Sequence, residues 1–139
     1  MILEGRHIFI VEDDIRNRIV YQILMVRSGA QVEFDRWGRD TLDQMKKYRE
    51  YDLIILDLML PKGTSGFDIY DKIRADGAFD DVPIVAVSAA DPSYAIPKAK
   101  QMGFSGFIAK PINDMVFPDQ LARIIAGEKV WSTDDGSEI

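Results

Sequence analysis

Cysteine is absent from the chain, which excludes disulfides and thiolate metal centres and leaves no mark of a redox compartment. Histidine occurs once, as His7, which reads as the first residue of a strand and not as a phosphoryl carrier. No apolar run approaches the ~18–20 residues that a membrane-spanning helix needs, and Met1–Arg6 lacks the long apolar stretch of a signal peptide. The cytoplasm is therefore the expected location, with no membrane partner. Phosphate-cradling loops of the GxxxxGK(S/T) or GxGxxG kind are missing, and Gly63 and Gly66 do not make one. Positive charge is also in short supply: 17 Lys and Arg against 23 Asp and Glu leave a net charge of −6. That balance disfavours direct binding to nucleic acid.

What is present suits one globular domain. The 139 residues suffice for a single core, and 47% apolar with 29% charged residues is an ordinary composition. No internal repeat, low-complexity block or second domain is visible. The domain is expected over residues 6–127. Residues 128–139, EKVWSTDDGSEI, hold four acids against one lysine, about half of the net charge. They have no period and are expected to be a flexible acidic tail. Trp131 within it is expected to make a packing contact or to stay disordered.

Apolar runs of strand length alternate with segments of helical period. His7–Val11, Leu53–Leu56 and Ile84–Val87 are continuous and rich in β-branched residues, as strands buried on both faces are. Gln31–Phe34 alternates, which suits an edge strand, and Phe107–Ala109 is a short fifth strand. Between them, Ile15, Ile19, Ile23 and Val26 recur at helical spacing ahead of Gly29. Thr41–Tyr48, Phe67–Arg74 and Leu121–Ala126 read as further helices. Five β/α units imply a parallel sheet with helices on both faces, a doubly wound three-layer sandwich.

The chemistry stands just after the buried strands. Glu12, Asp13 and Asp14 follow the first, Asp57 the third, Ser88 the fourth and Lys110 the fifth. In an open α/β sheet the ligand site lies outside the carboxyl ends of the strands, so these groups converge. Clustered carboxylates repel unless a cation joins them, and all-oxygen ligands suit a hard ion such as Mg²⁺. Lys110 suits a phosphate oxygen, Ser88 donates a hydroxyl, and Asp57 is placed to be a nucleophile forming an aspartyl phosphate. Phosphoryl transfer needs mostly positioning and charge neutralisation, which this set supplies.

The stretches IFIVEDD, DLIILDLMLPKGTSG, VPIVAVSA and GFIAKP resemble the response-regulator receiver family across roughly residues 6–126. The resemblance implies a flavodoxin-like sheet of five strands in the order 2-1-3-4-5, flanked by five helices. It implies a phosphoacceptor protein, not an enzyme, that assists its own phosphorylation and dephosphorylation. Asp57 would be the phosphoacceptor. Mg²⁺, for which Mn²⁺ may stand in, would be held by Asp13, Asp57 and the main-chain carbonyl of Met59, with Glu12 in support. Ser88 and Lys110 would serve the phosphoryl group, and Phe107 would be the aromatic switch. A cis bond between Lys110 and Pro111 is also implied. The expected partners are a histidine kinase or phosphotransfer protein, and a downstream protein bound by the surface of helix 4, strand 5 and helix 5. The chain would act as a monomer or as a phosphorylation-dependent dimer.

Three positions depart from the family pattern. Gly66 comes one residue late after Asp57, position 107 is Phe where many members carry Tyr, and Pro97 falls inside the fourth helix. A proline there costs about 3 kcal/mol. A turn over Asp91–Ile96 followed by a short helix from Pro97 to Met102 is therefore expected, with Ala99 and Met102 toward the sheet. A phosphohydrolase of the haloacid dehalogenase type also uses an aspartate after a strand. It requires a second acid two residues on, where Met59 cannot transfer a proton. A degenerate receiver serving only as a scaffold would lack an acid or the lysine, and none is missing.

Overall fold

The computed structural model describes residues 1–48 and 50–139, and the side chains of all of these except Lys62. The apolar runs form β1 (His7–Val11), β3 (Leu53–Leu56), β4 (Ile84–Ser88) and β5 (Gly106–Ala109), buried almost throughout. The alternating segment forms β2 (Gln31–Asp35), a half-exposed edge. Between strands lie α1 (Ile15–Arg27), α2 (Thr41–Tyr48), α3 (Gly66–Asp76), α4 (Pro92–Met102) and α5 (Phe117–Ile125). All strand pairs are parallel, as crossovers through helices require.

Successive strand residues point to opposite faces, and each face has its own helices. Phe9, Val11, Ile54, Leu56, Ala86 and Phe107 pack with Met45 of α2, Ile69 of α3 and Ala99 of α4. Ile8, Ile10, Ile55, Val85, Val87 and Ile108 pack with Leu24 and Met25 of α1 and Leu121 of α5.

The sheet has six strands, not the five expected, in the order 2-1-3-4-5-6. The sixth, β6 (Val130–Ser132), lies in the segment expected to be a flexible tail. It pairs along β5, with Phe107 opposite Trp131, and Trp131 is only 7% exposed. An unpaired β5 edge would leave a row of backbone donors and acceptors, and Val-Trp-Ser is a good strand former that satisfies them. Three residues amid acids have no visible period, which is why the strand was not legible.

α1 holds as a helix, but its apolar stripe faces outward. Ile15, Ile19, Ile23 and Val26 are each half or more exposed, while Tyr21, Leu24 and Met25 meet the sheet. α4 corrects the expected break: it runs unbroken from Pro92 to Met102 through Pro97. Asp91 caps its start, accepting from Ser93 N at 3.0 Å, and Gly103 at φ 104 closes its end. Ala95, Ile96 and Ala99 are buried on the sheet. Burying the isoleucine alone is worth about 1.5–3 kcal/mol. With two capped ends, that offsets the proline's ~3 kcal/mol. Pro97 itself is exposed, so its ring displaces nothing in the core.

Candidate functional site

Parallel strands bring their carboxyl ends to one side of the sheet, and three of the predicted groups, Glu12, Asp57 and Lys110, meet there. Lys110, directly after β5, places Nζ 3.0 Å from Glu12 Oε1 and 3.0 Å from Asp57 Oδ2. The three residues directly follow β1, β3 and β5, separated by up to 98 positions. Glu12 is 3% exposed, and its other oxygen accepts the N–H groups of Asp13 and Asp14 at 3.0 and 3.3 Å. The remaining Asp57 oxygen accepts Met59 N at 3.0 Å. Each buried carboxylate is thus hydrogen-bonded on both oxygens, as its desolvation demands.

Burial pulls the Lys110 ammonium down, but the Asp57 and Glu12 carboxylates outweigh it and leave it above the usual lysine value. The same two carboxylates, added to burial, raise the Tyr21 phenol, which sits behind the site near Lys110 and Pro111. Ser88 is fully buried at the end of β4, its hydroxyl oxygen accepting Ala90 N at 3.2 Å. The Lys110–Pro111 bond is cis, as the resemblance implied. Phe107 is fully buried on the α4 face of β5.

Asp13 and Met59 are placed differently. Asp13 turns outward to Arg36 at 3.6 Å, a partner that sequence reasoning did not single out. Arg36 follows β2, whose carboxyl end is also at this side of the sheet, and that position was its one available signal. Asp14 is the helix cap: its Oδ1 accepts Arg16 N at 2.7 Å. The Met59 side chain is exposed, and the loop bearing it closes through a Met59–Ser65 bridge. Gly66 is required there, because a Cβ on it would collide with the Asp57 carbonyl oxygen. No group of three metal-ligating side chains is gathered among the described residues. The donors around Asp57 nevertheless fit a hard cation: all are oxygens, and Asp13 is tied only by a long contact to the exposed Arg36.

Residues 8–122 match the family described as the response regulator receiver domain. The chain belongs to this family. Among relatives, this receiver is 30% identical over 108 residues to the polar-differentiation response regulator DivK of Brucella anthropi, covering 78% of the chain and 86% of the relative. It is 28% identical over 130 residues to the transcriptional regulatory protein AfsQ1 of Streptomyces coelicolor, covering 94% of the chain and 56% of the relative. It thus spans about half the length of that relative, and 18% of the sensory/regulatory protein RpfC of Xanthomonas campestris. Among solved structures, it resembles chemotaxis protein CheY4 of Vibrio cholerae with a TM-score of 0.76 and 25% identity, covering 86% of the chain and 98% of CheY4. The receiver domain of sensor histidine kinase PA1611 from Pseudomonas aeruginosa matches at 0.75 and 27% identity, covering 88% of this chain and 99% of that one. That structure has a magnesium ion coordinated in its active site cleft. Receivers of this family are signalling domains of two-component systems, for which phosphorylation and Mg²⁺ binding are characteristic. No described helix is long and apolar enough to cross a membrane.

Proposed function

We propose that residues 6–127 are a phosphoacceptor receiver, which takes a phosphoryl group on Asp57 and changes its protein-binding surface in response. One observation carries the reading: Lys110 bridges Glu12 and Asp57 at 3.0 Å each, poising a cation where phosphoryl charge would develop. A carboxylate oxygen of Asp57 attacks the phosphorus of a phosphohistidine on a histidine kinase or phosphotransfer protein. The O–P bond forms as the P–N bond breaks, and the electron pair leaves on the imidazole nitrogen, which takes a proton from solvent. Lys110 shifts its ammonium onto a phosphoryl oxygen, and the Ser88 hydroxyl donates to another. Mg²⁺, when bound, supplies charge neutralisation for the phosphoryl oxygens. Asp13, Asp57 and the Met59 carbonyl would hold it, with Glu12 in support.

The phosphodonor docks across α1. The exposed stripe of Ile15, Ile19, Ile23 and Val26 begins directly after Asp14 and offers an aliphatic helix face to a partner helix. Phe107 relays the response toward α4, β5 and α5.

The test is incubation with acetyl phosphate and Mg²⁺, followed by intact-mass measurement. The wild type should gain one phosphoryl group that is stable in acid and labile in base. Asp57→Asn should gain none; labelling of that variant at the wild-type rate would end the reading.

A further inference from the structure

We propose that the outer edge of β5 is a strand-binding groove that residues 130–139 occupy in cis, and that a phosphoryl group on Asp57 loosens their hold. The second half rests on the phosphoacceptor reading.

The segment touches all three elements that border this edge. Trp131 lies opposite Phe107 in β5, and Lys100 of α4 places Nζ 5.2 Å from the centre of its ring. Beyond the strand the chain turns, and Ile139 N returns to Trp131 O at 2.9 Å. Glu138 is then clasped by Arg123 of α5, Nη1 at 3.0 Å and Nη2 at 2.6 Å. The groove is shaped for a backbone: a Cβ on Gly106 would collide with the Val130 carbonyl oxygen, so only glycine admits the strand this closely. The cis occupant defines the ligand class. It is a short strand carrying an aromatic residue, followed by a turn that brings a carboxylate seven positions later back to Arg123.

Coupling to the site runs along β5, which is only four residues long. Its carboxyl end continues into Lys110, whose N–H bonds Ser88 O at 2.9 Å. A phosphoryl group on Asp57 adds negative charge beside the ammonium and pulls Lys110 toward β3, the middle of the sheet. That direction leads away from β6. Phe107 is three residues from Lys110, and its partner Trp131 stands on the far side. Close-packed contacts do not stretch, so a shift of β5 exchanges one packing for another at the expense of β6.

The test uses the full chain with Mg²⁺, with and without beryllofluoride, read by amide hydrogen exchange and by beryllofluoride titration. Exchange over residues 130–139 should quicken about fivefold or more on binding. By reciprocity, Gly106→Ala, which wedges β6 off, should exchange fast from the outset and bind beryllofluoride tighter by the same factor. Should Gly106→Ala fail to fold, Glu138→Gln weakens the Arg123 clasp, along with the longer bond from Gln120, and should move both readings the same way, by less. Unchanged or slower exchange at 130–139, in a chain that acetyl phosphate labels on Asp57, overturns the coupling alone. Absence of both beryllofluoride binding and labelling overturns the phosphoacceptor reading, and the coupling with it.

Discussion

At Lys110, burial and charge pull in opposite directions, and charge wins. Two nearly buried carboxylates hold one ammonium, so the three residues are not equivalent in stability. Lys110→Met removes the shared cation and leaves Glu12 and Asp57 facing each other without compensation, a loss of about 3 kcal/mol. Asp57→Asn keeps the Glu12–Lys110 pair and removes one negative charge, so its midpoint should stay within about 1 kcal/mol of the wild type. Urea denaturation of the two variants distinguishes these outcomes; equal losses would mean that Lys110 is not the shared partner. The raised ammonium value also sets a pH window. Its stabilisation is complete below the ordinary lysine value of about 10.4 and is lost as the pH climbs through the higher folded value. These residue identities were all legible beforehand, because a carboxylate, hydroxyl or lysine after a buried strand has few places to go. Asp13 was not fully legible: its contact with Arg36 depends on the loop after β2, which has no local signal.

Among the elements, α1 was legible as a helix and misleading as a face. The period of Ile15, Ile19, Ile23 and Val26 is genuine, but Tyr21, Leu24 and Met25 carry the larger buried load on the sheet. Ile23→Ser should therefore leave stability within about 0.5 kcal/mol. Leu24→Ala, one residue on, should cost about 2–5 kcal/mol. Thermal or urea unfolding of the pair tests which face is buried. α4 runs through Pro97 because caps at both ends and a buried isoleucine act together, a sum that the proline's local cost does not reveal. β6 was missed because its stabilisation comes from elsewhere: the β5 edge, Gly106 and Arg123. Its clasp should respond to acid. The hydrogen bonds from Arg123 lower the Glu138 carboxyl below the usual glutamate value. A lowered value contributes above about pH 4.3 and is lost as the pH falls through the folded one. Asp119 and Glu128 also lie within ion-pair distance of Arg123, so the guanidinium keeps other partners when Glu138 lets go. Residues 133–139 should lose amide protection on acidification before α5 does, by hydrogen exchange at stepped pH.

For the whole molecule, alternation of strand and helix was enough to place every charged group of the site at one end of the sheet. What that alternation could not supply was the state of the cluster at rest, in which Lys110 serves as the counter-ion and Asp13 turns away. A net charge of −6 makes the folded chain sensitive to any cation that prefers it, since compaction brings carboxylates together. Mg²⁺ that binds the folded receiver and not the unfolded chain stabilises it by mass action, about 1.4 kcal/mol at ten times its dissociation constant. For a domain of this size that is a rise in Tm of about 3–6 °C. Asp13→Asn removes the one carboxylate that can turn from Arg36 to the ion without breaking a buried pair. The variant should melt close to the wild type without Mg²⁺, because its contact with the exposed Arg36 is worth little. With Mg²⁺ it should gain less than half of the wild-type increment. Calorimetry across a Mg²⁺ series, repeated with Ca²⁺ to separate a site from general screening, measures this. Equal increments for both proteins would mean that the ion is held without Asp13.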